Sequence, residues 1–164
     1  MPLAAPNAAA AEPEEARSIV FTRVLNAPRE LVFQCFTTAE HLAHWWGPTG
    51  FSLTTRAFDF RVGGIWRFVM HGPDGRDYEN RIVFDVIDPP SRLLAHHDAG
   101  EDAVEKAEHE TRLTLEAAPG GTRLEWRMVF PSIAERDRVV RDYGAEEGCR
   151  QTVGRLADYL AELG

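Results

Sequence analysis

The chain has 164 residues, enough for one domain of ordinary size, and 44% of them are apolar, which can fill a core. Its 26 acidic and 18 basic residues give a formal net charge of −8, which argues against nucleic-acid or anionic-membrane partners because both need a positive field. No apolar run reaches the roughly 18 residues of a membrane span, and Cys35 and Cys149 fit no metal or redox spacing. We therefore expect a cytoplasmic protein with reduced thiols, no metal and no cofactor.

The first sixteen residues, 1–16, are rich in Ala, Pro and Glu and contain no aromatic side chain. Such a segment buries too little apolar surface to offset the entropy lost on ordering, so we expect a disordered tail. It also lacks the basic start and leucine-rich middle of a secretory signal, which favours a cytoplasmic location. The remaining residues, 17–164, are predicted to form a single domain.

The domain is predicted to begin with a strand, because residues 17–25 are β-branched and aromatic. Pro28 then stands where a helix can begin, and apolar residues recur behind it at helical spacing. A second short helix is predicted from Ala39 to Trp45, where Gly47-Pro48 follows and ends it.

Between Phe51 and Phe130 the apolar residues repeat with a period of two. In the segment 121–130, for example, Leu124 and Trp126 alternate with charged residues. This pattern predicts an antiparallel sheet of about six further strands with one buried and one solvated face. The polar stretch 99–106 predicts a mobile loop within it.

After Pro131 the spacing returns to that of a helix. Ser132 with Glu135 three residues later predicts a helix start, and Gly144 is expected to bend or break the helix. The remaining C-terminal helix carries a single apolar stripe at spacings of four, three and four, formed by Cys149, Val153, Leu156 and Leu160.

Four segments together are similar to a known superfamily: APRELVFQCFTTAEHLAHWWGPTGF, DFRVGGIWRFVMHGPDG, DPPSRLL and GGTRLEWRM. Over about 17–163 the chain resembles the SRPBCC or START-like superfamily, and more narrowly the family named after the activator of the heat-shock-protein-90 ATPase. The most specific features are Trp45-Trp46 before Gly47-Pro48, and Gly63-Gly64 before Trp66. The resemblance implies an α+β helix-grip fold, in which a curved seven-stranded antiparallel sheet surrounds a long C-terminal helix and two short helices close one end.

The resemblance also implies a range of functions. Members of the superfamily bind lipids, polyketides and other hydrophobic molecules, and some branches are cyclases or hydrolases. The activator itself is a two-domain co-chaperone, of which only the C-terminal domain resembles this chain. We therefore expect binding of a small hydrophobic or aromatic ligand by a monomer or homodimer. The alternatives are stimulation of a chaperone ATPase, and catalysis on a hydrophobic substrate.

When a sheet with one apolar face wraps around a helix with one apolar face, side chains do not easily fill the space between them. Ligand sites in such folds favour the boundary between sheet and helix. Tryptophan and methionine on the inward face favour a ligand cavity, although the same spacing is also typical of plain core. Family members often have a tryptophan after the glycine of the last helix, where this chain has Gly148-Cys149. The smaller side chain of Cys149 is expected to enlarge the cavity or to open it to a bulkier ligand. The predicted lining consists of inward strand residues and the helix stripe: Trp66, Phe68, Met70, Ile82, Leu113, Leu115, Trp126, Met128, Cys149 and Val153.

Two polar residues, His97 and Tyr78, are the candidates for a catalytic role, since either could reach a cavity from its strand. No serine or cysteine partner can be placed beside His97 from the sequence. His41 and His44 have a spacing that suits two metal ligands, but a third ligand is lacking, so surface histidines are the better interpretation.

Overall fold

The computed structural model describes residues 12–97 and 108–164. A short 3-10 helix, Glu14–Arg17, precedes β1, and the element order agrees with the order predicted from periodicity. Within the described residues the strands and α-helices are β1 (Ser18–Leu25), α1 (Arg29–Gln34), α2 (Ala39–Trp45), β2 (Ser52–Phe58), β3 (Ile65–His71), β4 (Asp77–Asp88), β5 (Arg92–His97), β6 (Glu110–Ala118), β7 (Gly121–Val129), α3 (Ile133–Tyr143) and α4 (Ala145–Leu163).

The strands form one antiparallel sheet in the order β1-β7-β6-β5-β4-β3-β2. Strands β2 to β7 therefore lie in chain order, and β1 is added at the edge beside β7. The register sets Leu113 opposite Trp126 and Leu115 opposite Leu124, so the apolar positions of β6 and β7 share one face. The sheet curves around the C-terminal helix, and the predicted helix-grip fold is confirmed.

Two irregularities interrupt the ladders of the sheet. The register shifts between Thr55 and Ala57 in β2, and again between Phe84 and Val86 in β4. An extra residue on one strand bends it and increases its local twist. Both shifts lie on strands that border the aromatic part of the core, so they contribute to the curvature there.

Local signals in the sequence fix the helix boundaries. Thr38 accepts a hydrogen bond from the backbone N–H of His41 at 3.1 Å, which caps α2. Ser132 accepts from the N–H of Glu135 at 3.0 Å, which caps α3. Gly144 has φ 60° and ψ 43°, a left-handed conformation that ends α3 before α4 begins. The predicted break at Gly144 is thus confirmed.

The main core lies between the inner face of the sheet and the helices α1, α2 and α4. Helix α4 contributes its apolar stripe, and Val153 and Leu156 are fully buried. A second, smaller cluster joins Ile19, Phe130 and Val139 beneath α3. The larger cluster contains all the aromatic residues that form the candidate site.

Most of the predicted tail, 1–16, and all of the predicted loop, 99–106, lie outside the described residues. Residues 12–16 are described and contact the domain. There Glu14 forms an ion pair with Arg112 at 2.7 Å, and Glu15 forms one with Arg127 at 2.9 Å. Local composition gives no sign of these contacts because the partners lie about 100 positions later in the chain.

Candidate functional site

A cavity of about 30 Å³ lies inside the main core, between the inner face of strands β3 to β7 and the segment that carries α1 and α2. This volume holds about two water molecules and is far below that of a lipid or polyketide site. Thr111 is the polar exception in an otherwise apolar wall. The cavity is lined by Phe36, Leu42, Trp46, Trp66, Ile82, Phe84, Leu93, Ala95, Thr111, Leu113 and Trp126.

The cavity is small because tryptophan side chains occupy the surrounding space. The ring centroid of Trp46 lies 4.9 Å from that of Trp66, 5.4 Å from that of Trp126 and 6.2 Å from that of Phe68. Trp66 stacks in turn on Phe68, with centroids 3.9 Å apart. Edge-to-face and stacked contacts of this kind add stabilisation beyond the buried area of the rings.

The four tryptophans differ in how they are held. Trp45, Trp66 and Trp126 are 0%, 2% and 6% exposed, whereas Trp46 is only partly buried. The indole N–H of Trp45 donates to the carbonyl of Cys35 at 3.1 Å, and that of Trp66 to the hydroxyl of Thr55 at 3.1 Å. Trp66 and Trp126 belong to strands of the sheet, but Trp46 begins the connection from α2 to β2.

This connection is anchored to α4 by one arginine. Nη1 of Arg155 donates to the backbone carbonyl oxygens of Trp46, Gly47, Pro48 and Phe51, at distances of 3.3, 2.9, 3.2 and 3.3 Å. Burial lowers the pKa of Arg155 from its ordinary value, since the charged form loses hydration. Carbonyl oxygens replace the lost water, and the guanidinium thereby fixes the loop that follows Trp46.

Further contacts define the same segment, which we call the 46–51 loop. Gln151, one turn before Arg155 on α4, accepts a hydrogen bond from the backbone N–H of Thr49 at 3.1 Å. Gly47 and Gly50 have φ values of 100° and 91°, which residues with a side chain rarely adopt. A Cβ at Gly47 would lie 2.9 Å from Cε of Met70, so the loop closely approaches the core there.

Four of the ten predicted lining residues border the cavity: Trp66, Ile82, Leu113 and Trp126. The other six, four on strands of the sheet and two on α4, are not among the residues that line the cavity. Phe68, Leu115, Cys149 and Val153 are buried in the main core, and Met70 and Met128 are partly buried at its margin. Cys149, which was expected to enlarge the cavity, is not among the residues that line it.

Sequence reasoning missed seven lining residues. Phe84, Leu93, Ala95 and Thr111 follow the same alternation as the predicted strand residues. Extending the pattern to β5 would have found two of them, Leu93 and Ala95. Phe36, Leu42 and Trp46 come from the helical segment, for which period-two reasoning has no signal. The Trp45-Trp46 pair stands out as a motif in the sequence. The sequence does not show that the side chain of Trp46 packs against the sheet.

The two catalytic candidates lie outside the cavity lining. His97 stacks on His109, with ring centroids 4.1 Å apart, near Phe130 and Arg17. Burial lowers the pKa of His97 well below its ordinary value, and the neighbouring His109 and His96 lower it further. Tyr78 packs against Phe51, with centroids 6.0 Å apart.

The cysteines and the helix α2 histidines have structural contacts. Burial raises the pKa of the Cys149 thiol to about 12 and that of Cys35 to about 11, which disfavours the nucleophilic thiolate. Nδ1 of His41 lies 2.7 Å from the hydroxyl of Tyr159, and the ring of His44 stacks on Tyr159. No group of three or more metal-ligating side chains occurs within 12–97 and 108–164. In the same residues, no helix combines the length and apolar character needed to cross a membrane.

Comparison with known proteins identifies the family. The profile described as "Activator of Hsp90 ATPase homolog 1-like protein" matches residues 26–161, which include the whole cavity lining. The chain belongs to this family. A search of curated protein sequences gave no significant match.

Solved structures similar to this AHSA1-like chain come from several bacteria. A solution structure from Arthrobacter aurescens is 25% identical with a TM-score of 0.82, covering 92% of this chain and 90% of that one. A crystal structure from Nitrosomonas europaea is 24% identical with a TM-score of 0.79, covering 90% and 96%. An AHSA1 protein from Silicibacter pomeroyi is 22% identical with a TM-score of 0.71, covering 90% and 99%. These likenesses support the fold.

Proposed function

We propose that this AHSA1-like protein binds a small apolar or aromatic molecule between its sheet and its helices. The observation that carries the proposal is a cavity whose wall is apolar except for Thr111, bordered by the partly exposed Trp46. An apolar wall gains free energy from any apolar surface that it removes from water, at about 25 cal/mol per Å². A charged ligand would lose its hydration there without finding partners.

The size of the cavity shapes this proposal. Pockets that hold drug-sized ligands have volumes of about 300–1,000 Å³, whereas this cavity has about 30 Å³. A ligand larger than a few atoms therefore enters only if a lining side chain moves. Two aromatic lining residues, Phe36 and Trp46, lie outside the regular strands and helices. Phe36 is buried and Trp46 is partly exposed, so Trp46 is the one whose side chain can move toward solvent.

A second candidate function is stimulation of a chaperone ATPase, which the description of the matched family favours. Such an activity would use the outer surface and would not need the cavity. The test is to add the purified protein to a chaperone of the heat-shock-protein-90 class and measure ATP turnover. Unchanged turnover, together with no co-purification, would end this candidate.

Catalysis on a hydrophobic substrate is the third function considered. General acid–base chemistry needs a titratable group within hydrogen-bond reach of the substrate. In the described residues, the wall of the cavity offers only the Thr111 hydroxyl, while His97 and Tyr78 lie elsewhere. The geometry therefore supports binding better than turnover.

Ligand binding is tested by filling the cavity. Ala95 borders it and Ala57 is an exposed residue of β2, so Ala95→Val and Ala57→Val make the same change at a lining and a control position. Wild type and both variants are screened for thermal shifts with sterols, fatty acids, flavonoids and polyketides, alongside native mass spectrometry of protein from its own host. We expect a stabilising compound whose affinity falls at least tenfold in Ala95→Val alone. Equal affinity in both variants would place the ligand elsewhere, and no stabilising compound at all would contradict the proposal.

A further inference from the structure

Among the three tryptophans that line the cavity, Trp46 is the one that the sheet does not hold. Trp66 and Trp126 are held by sheet hydrogen bonds on both sides of their strands, whereas Trp46 begins the 46–51 loop. Trp46 alone of the four tryptophans is partly exposed. Rotating it outward would leave a flat, aromatic-walled slot between Trp66 and Trp126, continuous with the existing cavity.

The loop that carries Trp46 has the construction of a hinged segment. Gly47 directly follows Trp46 in the chain, Gly50 lies three residues later, and both glycines have positive φ. Contacts from α4 and one turn hydrogen bond, from the N–H of Phe51 to the carbonyl of Pro48 at 3.1 Å, hold this loop, and strand pairing does not. The main contact is the Arg155 anchor, by which we mean Nη1 of Arg155 with the carbonyl oxygens of Trp46, Gly47, Pro48 and Phe51.

The shape of the slot sets the class of ligand. Trp46 meets Trp66 at an interplanar angle of 72° and Phe68 at 84°, so the faces and edges of neighbouring rings surround a flat indole. A molecule that takes its place gains the same edge-to-face contacts only if it is planar and of similar size. Puckered or branched molecules of equal volume would meet the rings at the wrong distance.

We propose that a neutral, planar, bicyclic aromatic molecule binds in the place of the Trp46 indole, and that the Arg155 anchor sets the fraction of molecules in which Trp46 is displaced. This inference rests on the proposed function, since it uses the same cavity. If only a small fraction is open, the apparent dissociation constant exceeds the intrinsic one by the inverse of that fraction. Weakening the anchor therefore strengthens binding, although it removes no contact with the ligand.

The experiment compares two ligands and two arginine variants. 2-Naphthol and decahydro-2-naphthol share one skeleton, but only the first is planar. Arg155→Met removes the anchor, and Arg141→Met makes the same change at a 70% exposed position of α3. We expect 2-naphthol to bind wild type at least tenfold more tightly than decahydro-2-naphthol. Arg155→Met should tighten it about tenfold further, and Arg141→Met should leave it within twofold.

A double-mutant cycle with Trp46→Ala distinguishes opening of the loop from general loosening of the protein. Without the indole there is nothing to displace, so Arg155→Met should change 2-naphthol affinity by less than twofold in the Trp46→Ala background. In 5-fluorotryptophan-labelled wild type, fluorine NMR should show the Trp46 signal moving to an exposed environment when 2-naphthol is added. The signal is assigned by its loss in Trp46→Phe.

The outcomes separate this inference from the function on which it rests. If fatty acids bind wild type and Ala95→Val blocks them, while 2-naphthol and its decahydro form bind equally, the cavity binds ligands but the inference is overturned. An Arg155→Met effect that persists in Trp46→Ala also overturns it. If no apolar compound binds wild type or Arg155→Met, the proposed function fails and the inference fails with it.

Discussion

Replacing Leu113 by alanine tests how rigid the walls of the cavity are. Leu113 is 1% exposed, borders the cavity and faces Trp126 on the neighbouring strand. The substitution removes three carbons, which costs about 2.4 kcal/mol in transfer free energy at about 0.8 kcal/mol each. It also leaves about 80 Å³ of new space, which costs about 2 kcal/mol at about 24 cal/mol per Å³ if the walls do not move.

The walls that the sheet contributes around Leu113 are held in a way that resists collapse. Trp126 belongs to β7, which pairs with β1 on one side and β6 on the other, and Trp66 lies on β3 between β2 and β4. We therefore expect Leu113→Ala to lower the free energy of unfolding by about 4 kcal/mol, near the upper end for such changes. Leu113→Val, with one carbon less, should cost about 1 kcal/mol and serves if the alanine variant does not fold.

The assay is urea denaturation followed by far-UV circular dichroism, with the slope compared between variants. Leu163→Ala is the matched control, because Leu163 is 41% exposed near the end of α4. This substitution should lower the free energy of unfolding by less than about 0.5 kcal/mol. A loss below about 2 kcal/mol for Leu113→Ala at an unchanged slope would refute the argument. It would mean that the tryptophans move into the space, and that the cavity volume is not fixed by the sheet.

Two further predictions follow from titratable groups in the core. Because burial holds the pKa of His97 below its unfolded value of 6.5, the unfolded chain binds a proton first as the pH falls. The contribution of His97 to stability should be complete above about pH 6.5 and decline below it. His97→Gln should therefore reduce the dependence of the melting temperature on pH between pH 5 and 7. An unchanged dependence would show that His97 is not responsible. The pKa values of Cys35 and Cys149 are raised to about 11 and about 12, so a disulfide reagent at pH 8 should react slowly with the native protein. After denaturation the same reagent should react rapidly with both thiols. Rapid reaction of either native thiol would contradict their burial.

Periodicity predicted the fold well because each element obeys a local rule. Burial alternates along β7 from Thr122 to Trp126, since one face meets the core and the other meets water. Gly144 ends α3 because it adopts the left-handed conformation needed there. These signals lie within about ten residues of the feature they determine. Periodicity indicated a first strand and about six further strands, and the family resemblance fixed the number at seven and implied that the sheet closes around α4.

The candidate site was predicted only in part because it depends on contacts between distant elements. Alternation placed Trp66 and Trp126 on the inner face, but it could not show which inner residues border a cavity and which pack in solid core, such as Leu115. The loop that carries Trp46 is held by Arg155, about 110 positions later in the chain. From the sequence alone, the guanidinium of Arg155 would be assigned to solvent.

The position of β1 in the sheet has a consequence for synthesis of the chain. Strands β2 to β7 can pair in the order in which they are made, but β1 pairs only with β7, and Ser18 meets Val129 about 110 positions later. At about 5–20 residues per second, β1 waits roughly 5–20 s for its partner on the ribosome. During that time its apolar residues lack their native cover, so the nascent chain depends on late closure of the sheet by non-local contacts, which fold slowly.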